Sequence, residues 1–386
     1  MVVYKAYKFR MYPTKDQQSK LNSFLGASRF IYNYFLNQKE QRYKKYNINY
    51  TLKDMKKDLI SLQEEYQWLK DIDSCILRTS LEILDNSYNN FFKLNRGYPK
   101  YKSKNKHNSY HTNCIRGTYK ENHYSNIKVD LSNRTIKLPK INEIKIRGYR
   151  NLTNFDKKII NATVSKEANK YYVSLCVEEE IDNTEFHLRN AIGIDLGIKN
   201  SVITSDGIKY DKMSFYMKLE HKLKGLNKWL SRSQKGSNNR HKIIVKIQRV
   251  YQKLKNMRKY FIHNITNEIV KNNDLIITEH LQIQNMIQKS HKNITKGILN
   301  TSPSEIIRQL EYKCKWLNKR LIKVDSYFPS SQHCNKCGEI NKEVKELSIR
   351  KWICKKCNNE NDRDINASIN ILEEGIKIYY QEQLNF

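Results

Sequence analysis

Cys334-x-x-Cys337 and Cys354-x-x-Cys357, separated by sixteen residues, constrain this chain more tightly than any other feature. Two such knuckles bring four thiolates to the corners of a tetrahedron, and the ion suited to that geometry and those donors is Zn²⁺. Four protein ligands leave no open position, so one zinc is expected as a structural ion, with residues 333–358 forming a zinc ribbon. A redox dithiol would need only one of the two pairs. The remaining cysteines, Cys75, Cys114, Cys176 and Cys314, stand singly, which does not suit a disulfide framework. His333, beside the first pair, reads as an ordinary neighbour.

The charge narrows the partner. Lys and Arg number 71 against 39 acids, a net charge of +32 over 386 residues. An excess of that size makes the compact state repel itself and calls for a polyanion, most simply nucleic acid. The chain is long enough for two or three domains. No apolar stretch approaches the length needed to span a bilayer, and Met1-Val2-Val3-Tyr4-Lys5 lacks the long apolar region of a signal peptide. No membrane partner is expected. The expected location is the cytoplasm, with the nucleoid when the chain is bound to DNA.

Residues 2–11 read as a strand, stopped by Pro13. Thr14 and Gln17 have capping-box spacing ahead of a long helical pattern. A second helix is expected near Thr51 and a third from Ser74 to Lys93, their apolar stripes forming a bundle core. Residues 94–110 lose all periodicity and interleave lysine with tyrosine, as in Gly97-Tyr98-Pro99-Lys100. They read as a linker whose cations and rings also suit a nucleic-acid strand. From about 114 to 180 the period switches to strands, including a hairpin around Ser132-Asn133, and an antiparallel unit, a small barrel, is expected. An acidic run, Glu178 to Glu185, follows it.

The stretch Ala191-Ile-Gly-Ile-Asp195-Leu-Gly-Ile198 reads as a buried strand carrying one carboxylate. An ionised Asp there is costly unless a partner or a metal compensates it. A second strand, an Asp206-Gly207 turn and a possible third strand before Met213 come next. A helical region from 216 to 272 is interrupted by a basic loop at 231–240. Asp274-Leu-Ile-Ile-Thr-Glu279 is another β-branched run ending in a carboxylate. A helix over 303–320 and a strand over 321–328 lead to the cysteines. Asp362-Arg-Asp364-Ile-Asn-Ala then opens the last helix, with Asp364 expected at its N-cap.

An Asp in a first strand, a Glu closing a later one and an Asp opening the last helix form the ligand layout of an RNase H-like nuclease. Hydrolysis of phosphodiesters by two Mg²⁺ needs hard oxygen donors clustered on a rigid sheet.

Taken together, Lys5-Ala-Tyr-Lys-Phe-Arg-Met-Tyr-Pro-Thr14, Gly97-Tyr-Pro-Lys-Tyr-Lys-Ser-Lys104, Gly193-Ile-Asp-Leu-Gly197, Leu230-Ser-Arg-Ser-Gln-Lys-Gly-Ser237, Arg308-Gln-Leu-Glu-Tyr-Lys313, Phe328-Pro-Ser-Ser331, the four cysteines and Asp362-Arg-Asp-x-Asn-Ala367 resemble the TnpB proteins of bacterial and archaeal transposons. These are relatives of the type V CRISPR nucleases. The resemblance implies a multidomain α+β architecture. A wedge-like β-barrel would take residues 1–12 and 112–185, and a helical recognition insertion with its linker 13–111. A RuvC-like nuclease of RNase H-like fold would take 186–332 and 359–380, with the zinc ribbon between as a target-binding module.

The same resemblance implies RNA-guided cleavage of double-stranded DNA beside a short adjacent motif. The guide RNA would come from the transposon end, with one protein copy per RNA. Asp195, Glu279 and Asp364 would be the catalytic ligands of two Mg²⁺, with Asp362 the competitor for the third place. Cys334, Cys337, Cys354 and Cys357 would hold zinc. Arg78, Lys100, Lys102, Lys104, Arg232 and Lys235 are the candidate nucleic-acid contacts. The presence of all three acids disfavours a guide-directed DNA-binding protein that does not cut. Gly193-Ile-Asp-Leu-Gly also resembles the first phosphate loop of actin-like ATPases. Those proteins carry further glycine-rich loops, and no such loop follows Glu279.

Overall fold

A computed structural model describes the chain except residues 105, 120–121, 149–154, 156, 182–184, 212–214, 347 and 385–386. The centre of the acidic run and Met213 therefore lie outside the described residues. Two units result, Met1–Ile181 and Asp182–Phe386.

The first unit opens with β1 (Val2–Tyr12), whose Val3, Tyr7, Phe9 and Met11 point inward. Pro13 ends it, and Thr14 caps α1 (Lys15–Tyr46). The Gln17 amide nitrogen donates to Thr14 Oγ1 at 3.3 Å while the Gln17 side chain accepts from Thr14 N at 3.0 Å, the expected box. Then come α2 (Leu52–Glu65) and α3 (Ser74–Leu94). Asp73 caps α3 by accepting from Cys75 N, and its other oxygen accepts from Thr112 Oγ1 at 2.5 Å. The chain rejoins the sheet through β2 (Ser109–Asn113), followed by β3 (Arg116–Tyr119), β4 (Asn122–Ser125), β5 (Lys128–Asp130), β6 (Thr135–Leu138), β7 (Ile141–Gly148), β8 (Lys158–Glu167) and β9 (Lys170–Glu180).

Seven of these strands form one antiparallel sheet, ordered β2-β8-β9-β1-β7-β6-β5. Among the described residues its edge strands β2 and β5 are not paired with each other. The hairpin of β3 and β4, which separates them along the chain, forms its own two-stranded sheet, with Asn126 tied to Ile115 and Asn113. Helices and sheet share one apolar core.

The irregular segment before β2 is better anchored than a linker. The Tyr98 and Tyr88 hydroxyls meet at 2.9 Å, Pro99 is buried, and Asn33 bonds both the N–H and the C=O of Lys102.

The second unit is built on a five-stranded sheet. Its strands are β10 (Ala191–Asp195), β11 (Asn200–Thr204), β12 (Lys209–Asp211), β13 (Leu275–Glu279) and β14 (Arg320–Val324), in the order β12-β11-β10-β13-β14. The first three are antiparallel; β10, β13 and β14 are parallel. The Asp206-Gly207 turn joins β11 to β12, with Gly207 at φ 87°. Between β12 and β13 stand α4 (Phe215–Arg232) and α5 (Asn238–Asn272). The break between them is closed by Arg240, whose guanidinium donates to the carbonyls of Leu230 and Ser233.

After β13 come α6 (Ile283–Lys289), α7 (Lys292–Thr301) and α8 (Pro303–Trp316). The helix expected to reach 320 stops at Trp316, where Leu317 and Lys319 turn back onto the Cys314 carbonyl. The cysteine segment contains β15 (Lys351–Ile353), paired with β16 (Glu360–Asp362). The last helix is α9 (Arg363–Leu384).

The seating of α9 depends on two glycines. A Cβ on Gly193 of β10 would stand 2.1 Å from the Ser368 carbonyl oxygen, and one on Gly375 of α9 would stand 2.2 Å from Ile277 of β13. The helix can therefore lie directly against the two central strands. This brings its first turn to the carboxyl end of β10.

Candidate active site

The four cysteines converge as their spacing predicts. Cys334 and Cys357 sulfurs lie 3.7 Å apart and Cys337 and Cys354 sulfurs 3.5 Å apart, all four within 4.8 Å of one another. A tetrahedral zinc with bonds of about 2.3 Å puts its sulfurs ~3.8 Å apart, so the donors fit that ion. Backbone N–H groups of Cys357 and Lys356 favour the thiolate at Cys354. Val344 and Trp352 fill the small core behind the sulfurs.

The acids come together by strand register. Ile194 of β10 pairs with Thr278 of β13, so Asp195 and Glu279 follow side by side at the carboxyl ends of two parallel strands. Ligands of open α/β sheets bind at that edge. Burial, then the like charges of Glu279 and Asp364, push the Asp195 carboxyl up to about 7, against the pull of the Leu196 N–H and the Arg363 guanidinium. Part of Asp195 reaches solvent, but its carboxylate is the desolvated end. Burial also raises Glu279, opposed by the Ser330 hydroxyl, which donates to Glu279 Oε1.

The expected N-cap requires correction. Asp362, not Asp364, caps α9: its Oδ1 accepts from Asp364 N at 3.1 Å and Ile365 N at 3.2 Å. Its second oxygen pairs with Lys209 Nζ at 2.6 Å. Burial works to raise this carboxyl, but Lys209 and the two N–H groups outweigh it and hold it below the usual range. Asp364 is left out of the cap. It adds its charge to the field at Asp195 and meets Arg350 Nη1 at 3.2 Å.

Among the described residues, only the cysteines form a group of ligating side chains all within 4.8 Å. The three acids share a field at a wider spacing, and two of them engage Ser330 and Arg350. Hard oxygens gathered around one desolvated carboxylate are a donor set that could hold a divalent cation such as Mg²⁺.

Among the candidate nucleic-acid contacts, Arg78, Lys100, Lys104, Arg232 and Lys235 are exposed. Lys102 differs. Its ammonium lies 3.8 Å from the centre of the Tyr32 ring, and burial lowers it to about 8, so it braces the fold instead of facing solvent. A groove of about 560 Å³ on α4 and α5, lined by Lys222, Trp229, Lys246, Arg249 and Lys253, was not singled out by the sequence reading. Trp229 is 59% exposed there. The signal was present as fifteen Lys and Arg against two acids over residues 215–272. Ser330, Arg350, Asn366 and Asn370 were also missed, since their roles depend on partners distant in sequence.

Residues 174–290 match the family described as "Probable transposase", residues 304–371 that described as "Cas12f1-like, TNB domain", and residues 1–47 a "Helix-turn-helix domain". The last description does not suit the local structure, in which those residues form β1 and the single helix α1. A "Putative RNA-guided DNA endonuclease" of Streptomyces pristinaespiralis is 30% identical over 97% of this chain and 90% of its own length. The InsQ protein of Escherichia coli K12, with the same description, is 29% identical over 96% of this chain and 92% of its own. "TnpB-like protein L79" of Acanthamoeba polyphaga mimivirus is 22% identical over 97% of this chain and 74% of its own length.

These matches define a transposase-like chain of the kind carried by mobile elements. It belongs to the TnpB family. Among the described residues, no helix is long and apolar enough to cross a membrane.

Proposed function

We propose that this chain is an RNA-guided DNA endonuclease whose RuvC-like site hydrolyses phosphodiesters with Asp195, Glu279 and Asp364. One observation carries the reading: strand register and the start of α9 bring Glu279 and Asp364 near enough to Asp195 that their charges, with burial, raise its carboxyl at the carboxyl edge of the sheet. Such a concentration of like charge is unfavourable unless a cation offsets it. The strand order, three antiparallel strands followed by two parallel ones with α9 laid across them, supports an RNase H-like core.

Two Mg²⁺ bound there would supply a nucleophilic water and neutralise charge on the attacking and leaving oxygens. The chain's own part is placement. Gly193 admits α9, and Asp362 with Lys209 pins its first residue. Ser330 holds one oxygen of Glu279. Asp195 stays at the centre of the field.

Guidance by RNA is supported by the relatives' names and by the charge. If base pairing supplies specificity, the protein needs mainly a cationic surface for backbones, and +32 provides it. In this reading the first unit is the wedge, with its helices as the recognition insertion. The zinc ribbon contacts target DNA, a short adjacent motif licenses cutting, and one protein serves each RNA from the transposon end. The groove on α4 and α5 joins Arg232 and Lys235 as a backbone contact, with Trp229 available to stack on a base. The setting would be the cytoplasm and nucleoid.

The test is cleavage of a guide-matched duplex by the protein purified with its co-expressed RNA. Asp195→Ala is expected to abolish Mg²⁺-dependent cutting while leaving RNA binding intact. Wild-type cleavage by that variant would refute the assignment.

A further inference from the structure

Two segments of the zinc ribbon region reach the acids: Arg350 meets Asp364, and Ser330, held by buried amides, meets Glu279. Ser330 stands four residues before Cys334, and its hydroxyl donates to Glu279 Oε1. The Ser330 carbonyl accepts from Asn370 Nδ2 at 2.7 Å, and the same amide nitrogen donates to the His333 carbonyl at 2.8 Å. One turn earlier on α9, Asn366 Nδ2 donates to His333 O at 2.6 Å and Asn366 Oδ1 accepts from Asn335 N at 2.9 Å. Asn361 completes the set, with its amide nitrogen 3.8 Å from the Cys334 sulfur. Ser330, Asn361, Asn366 and Asn370 are all buried, at 6%, 4%, 2% and 4% exposure.

Buried amides that donate to two carbonyls, as Asn370 does, or donate and accept, as Asn366 does, favour a single arrangement, because a shift leaves an unpaired polar group in a dry interior. The knuckle backbone around Cys334 is thus tied to α9, and the segment leading into it is tied to Glu279. A ribbon that served only to contact nucleic acid would need none of these ties.

We propose that Ser330 and Asn370 are positioning residues that connect the zinc knuckle to the acid site. Zinc fixes the Cys334 turn, Asn370 fixes the Ser330 backbone against that turn, and the Ser330 hydroxyl orients Glu279 as a metal ligand. This rests on the reading of Glu279 as a ligand. Groups that orient a ligand carboxylate typically change metal affinity about 10–100-fold when removed.

The experiment measures Mn²⁺ binding to the RNA-loaded protein by electron paramagnetic resonance, with zinc content and melting temperature recorded for each variant. Ser330→Ala is expected to weaken Mn²⁺ binding about tenfold, while zinc stays at one per chain and RNA affinity is unchanged. Ser330→Thr, which keeps a hydroxyl, is expected to restore most of the affinity. Asn370→Ala and selective removal of zinc from the wild type should weaken Mn²⁺ in the same direction. Wild-type Mn²⁺ affinity in Ser330→Ala overturns the proposal, as does failure of Ser330→Thr to recover any. Asp195→Ala is the control on the underlying reading: unchanged Mn²⁺ binding there would remove the acid site itself. Loss in Asp195→Ala with no loss in Ser330→Ala would remove the positioning role alone.

Discussion

Gly193 on β10 lies so close to Ser368 on α9 that a Cβ at the glycine would stand 2.1 Å from the serine's carbonyl oxygen. The atom in the way is backbone, and Leu372 N would be only 2.7 Å from the same Cβ, so no rotamer change can relieve the clash. Gly193→Ala must push α9 off the sheet and carry Asp364 away from Asp195. The expected cost is about 3 kcal/mol of stability, as for overpacked cores, together with loss of cleavage. Thermal unfolding checks the first and a duplex-cleavage assay the second; an Ala variant as stable as the wild type would contradict the close approach.

Asp362 and Asp364 should separate cleanly. Asp362→Ala removes a helix cap and is expected to cost about 1 kcal/mol, with the partly exposed Lys209 pair adding little. Cleavage should persist. Asp364→Ala removes a like charge from beside Asp195, so stability should hold while cleavage falls about a hundredfold or more. Melting curves and initial cleavage rates of the two variants, measured side by side, decide it; the reverse pattern would make Asp362 the third ligand.

The raised Asp195 predicts a pH dependence of defined sign. Its ordinary value of 3.8 is pushed to about 7 by burial and by Glu279 and Asp364. Across that window the folded chain keeps a proton that the unfolded chain has lost, so this group's contribution is intact below about 3.8 and is lost as pH rises through about 7. Without Mg²⁺, the wild type should lose melting temperature relative to Asp195→Asn as pH rises through this range. Because metal binds the deprotonated acids, stabilisation by Mg²⁺ should grow over the same range. A pH-independent difference between the two proteins would show that Asp195 is not perturbed.

The basic groove should reveal itself in salt dependence. Replacing Lys222, Lys246, Arg249 and Lys253 with Gln removes charge from exposed helix faces without touching the acids. For every phosphate that is no longer neutralised, the slope of log affinity against log salt should fall by about one. Filter-binding titrations at several salt concentrations give the slope; an unchanged value would mean that nucleic acid does not use this face.

Much of this protein could be read locally. Four thiols at fixed spacing, a Thr14-x-x-Gln17 box, an Asp-Gly turn and strands with alternating or continuous apolar runs are instructions carried by neighbouring residues, and the structure follows them. Asp195 and Glu279 stand out because a carboxylate in or at the end of an apolar strand is conspicuous before any contact is known, whereas Asp364 enters only through the Asp-x-Asn-Ala resemblance. What failed were statements about partners. Asp362 and Asp364 are two residues apart and chemically identical; Lys209, 153 residues from Asp362, engages one and leaves the other. Lys102, named from the sequence as a candidate nucleic-acid contact, has its ammonium over the Tyr32 ring in the fold, a neighbour no local pattern announces.

The amino-acid sequence alone therefore determined the family, the main elements and the spacing that brings four cysteines together. Tertiary structure decided which Asp caps α9, which lysine is withdrawn from solvent, how closely the last helix meets the first strand of its sheet, and which groups hold Glu279. The physical reason is range. Ligand spacing, capping and periodicity act over a few residues, whereas the field at Asp195 sums charges from β10, β13 and α9, which only the folded sheet brings together.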